Sequence, residues 1–394
     1  MIAPRCSLLT ISGGISALSN PTDANHKIKV AFLGIRHPHV FVRVELAQRD
    51  AELKIVGFYE EDGEIAERFA AQTTLQRFAS AEALLSTKPD LVIIEALDTQ
   101  VPALALLAAP HTRALLLEKP GAPDRSSMDA LVEQLAQYDI EVEVSYQLHY
   151  SESVAMCREI LQAGALGQIT QARFHAGCPI GCGAELWQSV PGDLGGVVYT
   201  EACHILELMV DMLGMPGRIF AAVQKLPPGA SVVSDVVKPD LFAGTGLPTT
   251  LRVGELMYED VGAAIFSYPD KLVTLDVTAW EATDWVQGWR MEFYGTNGSL
   301  SAIPNPPTVQ LFLPAPVAGY RAGDLLFQGQ GPRGPENSLV PDQTYERQFE
   351  RLITVLRERQ PASQEGLRRG QDVVHILDAI YRSAREGRAI DYPG

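Results

Sequence analysis

Two short stretches carry side chains able to handle an oxygen and a proton. The first, LLLEKPGA from Leu115 to Ala122, ends a run of leucines in Glu118, Lys119 and Pro120. Consecutive leucines suit a strand covered on both faces, as in a parallel sheet, and ligands sit beyond the carboxyl ends of such strands. Lys119 emerges at that edge, where an ammonium can polarise a substrate oxygen or contact a cofactor, while Pro120 fixes φ and removes a backbone donor. The second stretch, GDLGGVVYTEACHILELMVDMLG from Gly192 to Gly214, is a glycine-rich approach to an amphipathic helix bearing Glu201, His204, Glu207 and Asp211. The i, i+3 spacing puts Glu201 and His204 on neighbouring parts of one helix face, where the carboxylate can orient the imidazole or raise its basicity. An imidazole can take a hydroxyl proton while hydride leaves the same carbon, which is what alcohol oxidation requires. Taken singly, the first stretch is better read as a surface lysine closing a strand and the second as a core histidine bonded to its neighbours.

The elements around Lys119 favour chemistry. From Lys27, KIKVAFLGI reads as a strand, Gly34 opens a loop, and Val40 to Gln48 is helical. LKIVGFYEED (Leu53 to Asp62), a helix from Ile65 to Ala71, the strand DLVIIEAL (Asp90 to Leu97), LLLEK, one more helix and EVEVSYQ (Glu141 to Gln147) continue the alternation. This predicts a Rossmann-type, doubly wound parallel sheet over residues 27–148. A dinucleotide would lie on the first turn, yet the expected G-x-G-x-x-G appears as Gly34, Ile35, Arg36, His37, Pro38, His39, with only the first glycine kept. Arg36 crowds the phosphate position, although its guanidinium can itself pair with phosphate. The second strand ends in Glu60, Glu61 and Asp62, about 20 residues after Gly34, the distance at which a carboxylate holds the adenosine ribose. Glu60 is the candidate. With no Arg or Lys immediately beside these carboxylates in the chain, NAD is expected over NADP.

Beyond Gln147 the pattern changes. A helix from Ser151 to Ala163, a GALG turn and a strand from Gln168 to His175 open a second, α+β domain over 149–394 with a largely antiparallel open sheet. KLVTLDVTAW sets Val273, Leu275, Val277 and Ala279 on one face and Thr274, Asp276, Thr278 and Trp280 on the other; EDVGAAIFSYP and WRMEFYGTNGSL read as further strands, the latter turning at Gly295 to Gly298. Trp280, Trp285 and Trp289 could stack on sugars or serve packing, and packing is the expectation. The Pro- and Gly-rich segments Leu226 to Pro248 and Ile303 to Pro341 are expected to be excursions from the core, and two amphipathic helices finish the chain.

Composition narrows the partners. The 394 residues carry 32 basic and 48 acidic side chains, a net charge of −16, which repels nucleic acid and anionic membranes. No run approaches the roughly 18 apolar residues of a membrane span. Cys6, Cys157, Cys178, Cys182 and Cys203 form an odd set without regular spacing, as for reduced thiols in the cytoplasm. Cys178 and Cys182, with His175 and His204, are too weak a pattern for zinc, and no metal is expected. Residues 1–26 read as a loose extension, too broken by Ser and Gly for a signal peptide.

EKP at Glu118 to Pro120, GALG at Gly164 to Gly167, the GG…H…E helix around His204, the FYGTNGSL hairpin and the terminal AIYRSAREGRAI together resemble the Gfo/Idh/MocA oxidoreductase family. The resemblance spans Lys27 to Pro393. It implies an NAD(P)-dependent dehydrogenase of a sugar, polyol, inositol or related alcohol, assembled as a homodimer or homotetramer through the open sheet. It also places Lys119 and His204 at the family's catalytic lysine and histidine. The family's Asp four residues before the histidine is Thr200 here; Glu201 stands one residue later, a rotation of about 100° on a helix. Candidate catalytic residues are thus Lys119, His204, Glu201 and Thr200; cofactor candidates are Gly34, Arg36, His37, His39, Glu60, Asp98, Glu118 and Lys119. Two other classes fit the altered loop and the missing Asp: a non-catalytic sugar- or nucleotide-binding protein, and a net non-redox glycoside cleavage that recycles NAD.

Overall fold

A computed structural model describes residues 27–37, 39–179, 196–233, 250–255, 258–281, 289–328 and 343–392. Its first sheet has five parallel strands: β1 (Ile28–Ile35), β2 (Leu53–Tyr59), β3 (Leu91–Glu95), β4 (Ala114–Leu117) and β5 (Glu141–Val144), in the order β2-β1-β3-β4-β5. Every residue of β3, β4 and β5 is buried, because helices cover both faces. These are α1 (His39–Arg49), α2 (Gly63–Thr73), α3 (Ala81–Leu85), α4 (Val101–Ala108) and α5 (Arg125–Leu135). Asp62 caps α2 by accepting from the amides of Glu64 and Ile65, so one of the three consecutive carboxylates serves the helix. The strand order reverses between β1 and β3, which places a crevice at their carboxyl ends.

A short 3₁₀ turn at Gln147–Tyr150 and α6 (Glu152–Gln162) lead to the second sheet. Its strands are β6 (Ile169–Pro179), β7 (Arg218–Gln224), β10 (Val261–Ser267), β11 (Leu272–Glu281), β12 (Trp289–Gly295), β13 (Gly298–Ile303), β14 (Thr308–Leu313), β15 (Gly323–Gln328) and β16 (Ile390–Asp391). A separate two-stranded ribbon joins β8 (Ser231–Val233) to β9 (Thr250–Arg252). The nine strands run β15-β14-β13-β12-β6-β11-β10-β7-β16, antiparallel except for β6 against β11. One face is buried under helices and carries Val273, Leu275, Val277 and Ala279; the alternate residues stand on the open face. The covering helices include α8 (Ala202–Leu213), which follows the single turn α7 (Val197–Thr200), and α10 (Glu365–Glu386), which packs on α8, α5 and β7. Gly387, at φ +64°, accepts the left-handed turn that ends α10. α9 (Gln343–Glu358) returns to the first domain, where Phe349, Leu352, Ile353 and Leu356 join the core beneath α1 and α2.

Two expectations need correction. The segment Ile303 to Pro341 contributes β14 and β15 to the sheet; the alternating TVQLFL buries Val309, Leu311 and Leu313 despite the prolines before it. The helix of Gly192 to Gly214 is broken at Glu201, whose backbone separates α7 from α8. Of the segment Leu226 to Pro248, residues 234–249 lie outside the described residues, as do the extension 1–26, Pro38, the side chain of Cys178, Cys182, Gly192 and Trp285.

Candidate active site

The crevice beyond β3 and β4 holds a small cavity lined by His37, Ala96, Asp98, Lys119, Tyr199 and Thr200, among others. Two elements meet there. The end of β4 delivers Lys119, and α7 delivers Tyr199 and Thr200, locked by a Tyr199 hydroxyl bond to the Ala122 carbonyl. Lys119 Nζ donates to the Thr200 carbonyl at 2.7 Å, so the lysine is stretched between domains. Burial works against its charge, but the surrounding anions prevail and hold the ammonium above its ordinary range. Burial pushes the neighbouring Cys203 thiol up and leaves it neutral; Glu201, Glu118 and Asp98 therefore supply the counter-charge.

His204 sits in the first turn of α8 with its backbone N–H on the Glu201 carbonyl, packed between the rings of Tyr146 and Trp289 at 5.9 and 5.7 Å. Trp289 is thus a packing residue beneath the histidine. Burial, and then the charges of Lys119 and His39, hold the His204 imidazole well below its usual range, so it is neutral at physiological pH. Its Nδ1 is buried and has no hydrogen-bond partner among the described residues. The expectation that Glu201 orients this ring is not met: no hydrogen bond joins them, and Glu201, raised by its burial, is drawn down by Lys119 instead. Thr200 spends its hydroxyl on the Gly196 carbonyl at 3.1 Å and contributes to the site through its carbonyl. Glu207 and Asp211, on the same helix, form ion pairs with Arg369 and Arg158.

The first turn holds the other candidates. Gly34 adopts φ +80°, and a Cβ there would lie 2.7 Å from the Ala96 Cβ, so the surviving glycine is required by the approach of β1 to the chain after β3. The Glu60 carboxylate is buried and accepts from the amides of Ile35 and Asp62, both at 3.1 Å. Burial raises its pKa. Although no basic residue adjoins Glu60 to Asp62 in the chain, folding brings Arg36 to Asp62 at 3.2 Å. His37 and His39 turn inward onto Glu118: His37 Nε2 is 3.3 Å from Oε1, and His39 Nδ1 is 3.1 Å from Oε2. His37 is held well below its usual range by burial and neighbouring positive groups, and Glu118 is raised by burial.

Sequence reasoning overlooked Glu95 and Arg43. Glu95 closes the apolar run LVIIE as Glu118 closes LLLE, a signal of the same kind; burial and the adjacent Glu118 hold it well above the carboxylate range. Arg43 is wholly buried on α1, donating to Ser145 Oγ and Gln348 Oε1 at 2.6 and 2.7 Å, with its Nε 3.6 Å from Glu95. Nothing in the pattern of α1 marks an inward arginine.

A parallel sheet of the nucleotide-binding type and a helix-backed open sheet, with Lys119 at the crevice between them, are the architecture of a nucleotide-binding α/β protein. The chain belongs to the Gfo/Idh/MocA family: residues 28–146 match its model described as "Oxidoreductase family, NAD-binding Rossmann fold", and residues 154–301 match its C-terminal domain. NAD is accordingly the cofactor. The site fits it: the cavity opens at the reversal of strand order, the glycine-tight turn is kept at Gly34, and a carboxylate ends β2.

Comparison with curated proteins finds no match. Among solved structures, an oxidoreductase from Agrobacterium radiobacter in complex with NAD+, L-tartaric acid and magnesium aligns at TM-score 0.73 and 16% identity, over 93% of this chain and 98% of that one. A levoglucosan dehydrogenase in complex with NADH and levoglucosan aligns at 0.71 and 15%, over 93% and 100%. The transcriptional regulator Gal80p from Kluyveromyces lactis aligns at 0.71 and 14%, over 93% and 91%. At these identities the likeness is one of fold. Among the described residues, no helix is long and apolar enough to cross a membrane.

Proposed function

We propose that the protein is an NAD-dependent dehydrogenase of a sugar, polyol, inositol or related alcohol, with Lys119 and His204 acting on the substrate hydroxyl. The observation that carries this reading is a buried charged lysine and a buried neutral histidine close enough to influence each other beside one interdomain cavity. An ammonium has three N–H donors, and Lys119 commits one to Thr200. The others can hold a substrate oxygen and stabilise negative charge as its proton departs. His204 Nδ1, neutral and without a hydrogen-bond partner among the described residues, is the acceptor for that proton. Bound NAD supplies the hydride acceptor, so the alcohol loses one hydride and one proton and leaves as a carbonyl compound. Gly34, Arg36, His37, His39, Glu60, Asp98 and Glu118 are the residues proposed to hold or border the cofactor. Glu60 and Asp62 favour NAD over NADP, and the Arg36 guanidinium, already paired with Asp62, is not set aside for a 2′-phosphate. The buried free thiols Cys157 and Cys203 suit a reducing cytoplasm.

One observation favours a second reading, non-catalytic binding: Arg36 and His39 replace two glycines, and no carboxylate orients His204. Fluorescence titration with NADH and NADPH, followed by turnover assays on sugars and polyols, separates the two. NADH preference with turnover that is lost in His204→Asn supports the dehydrogenase. Binding without turnover of any alcohol supports the alternative, and cofactor carried through purification with no net NADH release points to recycled NAD.

A further inference from the structure

We propose that His37, His39, Glu95 and Glu118 form a binding site for one divalent transition-metal ion, with Zn²⁺ the best-matched species. Each side chain offers one ligand atom, and the four atoms lie within 4.8 Å of one another. They converge from the turn into α1 and from the ends of β3 and β4. A tetrahedral ion bonded at about 2.0–2.1 Å sets its ligand atoms about 3.3 Å apart. The two contacts to Glu118, at 3.3 Å from His37 Nε2 and 3.1 Å from His39 Nδ1, already have that separation. His37 accepts the His39 amide at Nδ1, which also stands 4.0 Å from Glu95, and turns Nε2 toward Glu118; ligation through Nε2 moves the ring proton to Nδ1 and releases that amide.

The independent observation is a pair of buried carboxyl groups in contact with each other. Both oxygens of Glu95 and Oε1 of Glu118 are shut off from solvent and, among the described residues, have no regular hydrogen bond, only the longer contacts to Arg43 and His37. Leaving such groups without donors is costly, and the nearest cations spend their hydrogen bonds elsewhere: Arg43, with its Nε 3.6 Å from Glu95, donates to Ser145 and Gln348, and Lys119 to Thr200. A dication would neutralise the pair and fill the vacant lone pairs together. Two imidazoles with two carboxylates and no sulfur suit Zn²⁺, Mn²⁺ or Fe²⁺ and disfavour Cu⁺. On entry each neutral imidazole keeps one proton, on the nitrogen turned away from the ion, and the proton shared by Glu95 and Glu118 passes to solvent. It would tie the turn that has lost its glycines to the edge of the sheet and fix His37, which also lines the cavity beside Lys119.

The test uses the full chain, stripped with a chelator and titrated with Zn²⁺ by calorimetry, with metal content and melting temperature recorded. One ion per chain and a higher melting temperature are expected. His39→Gln and Glu95→Gln should each weaken uptake roughly tenfold or more while circular dichroism is unchanged, and Cys178→Ser should leave it intact. Should either variant fail to fold, Co²⁺ on the wild type decides: a visible spectrum of nitrogen and oxygen ligation without a sulfur charge-transfer band supports the site. Absence of stoichiometric binding, binding unaffected by His39→Gln and Glu95→Gln, or a thiolate band overturns it.

Discussion

Lys119 and His204 divide one task because burial drives their charges in opposite directions. The lysine is ringed by Glu118, Glu201 and Asp98 and stays an ammonium; the histidine is enclosed by Tyr146, Trp289 and that same ammonium and stays neutral. Lys119→Met should therefore reduce kcat/KM by about 10² to 10⁴, the range of a lost acid-base or oxyanion contact, with little change in NADH affinity. It should also move the His204 titration upward, because a positive neighbour is removed, while burial keeps it below the ordinary imidazole range. The Cε1 proton resonance of His204 followed against pH checks this, and a downward or absent shift would mean that the two groups are not coupled. In the wild type the acid limb of activity should lie below about pH 6.5, the ordinary value for imidazole. At this scale the sequence was legible where a charge closes an apolar run, as Glu118 and Lys119 do. It was not legible where the partner is set by three-dimensional approach, as for Arg36 on Asp62, Arg43 on Glu95, and Glu201, which faces Lys119 and not His204.

Elements were legible in proportion to their period. The unbroken apolar runs of β3 and β4 announce a parallel sheet, and the alternation in β11 gives its buried face residue by residue. β14 and β15 escaped because Pro304, Pro306, Pro307, Pro314 and Pro316 surround a six-residue alternation, and the break at Glu201 escaped because the apolar spacing runs on through it. β6 and β11, the one parallel pair of the second sheet, are also joined by side chains: His175 contacts Asp276 at 2.5 Å and Glu281 at 2.6 Å. The Asp276 bond above all, and then the two charges, raise the His175 pKa although burial opposes them. A histidine whose folded pKa is raised contributes stability that is fully present below its unfolded value of about 6.5 and is lost as pH rises through the folded value. His175→Gln should consequently lower the melting temperature most below pH 6.5, with the difference from wild type narrowing at alkaline pH. A difference independent of pH would show that the ring acts by packing alone.

The whole molecule uses its two sheets differently, one covered on both faces and the other on one. The open face of the second sheet carries Phe220 (46% exposed), Ile265 (42%), Phe312 (44%) and Leu326 (60%) on β7, β10, β14 and β15. Phe220 and Ile265 are directly paired across β7 and β10, so their apolar surface is contiguous. Between the two apolar ends lie Arg173, His175, Asp276, Arg290 and Glu292, charges of both signs on neighbouring strands β6, β11 and β12. A face with apolar ends and a mixed-charge middle can be covered by a second copy turned through 180°, since a two-fold contact sets the same surface against itself. The −16 net charge opposes association at long range, which makes contact on this apolar and charge-compensated face the favourable route. Light scattering should then find a dimer or tetramer. Phe220→Asp with Ile265→Asp should yield a smaller species, because four buried carboxylates would face one another or apolar surface in each two-fold pair. An unchanged mass for that folded variant would move the interface off the open sheet, and a monomeric wild type would leave these side chains to another partner.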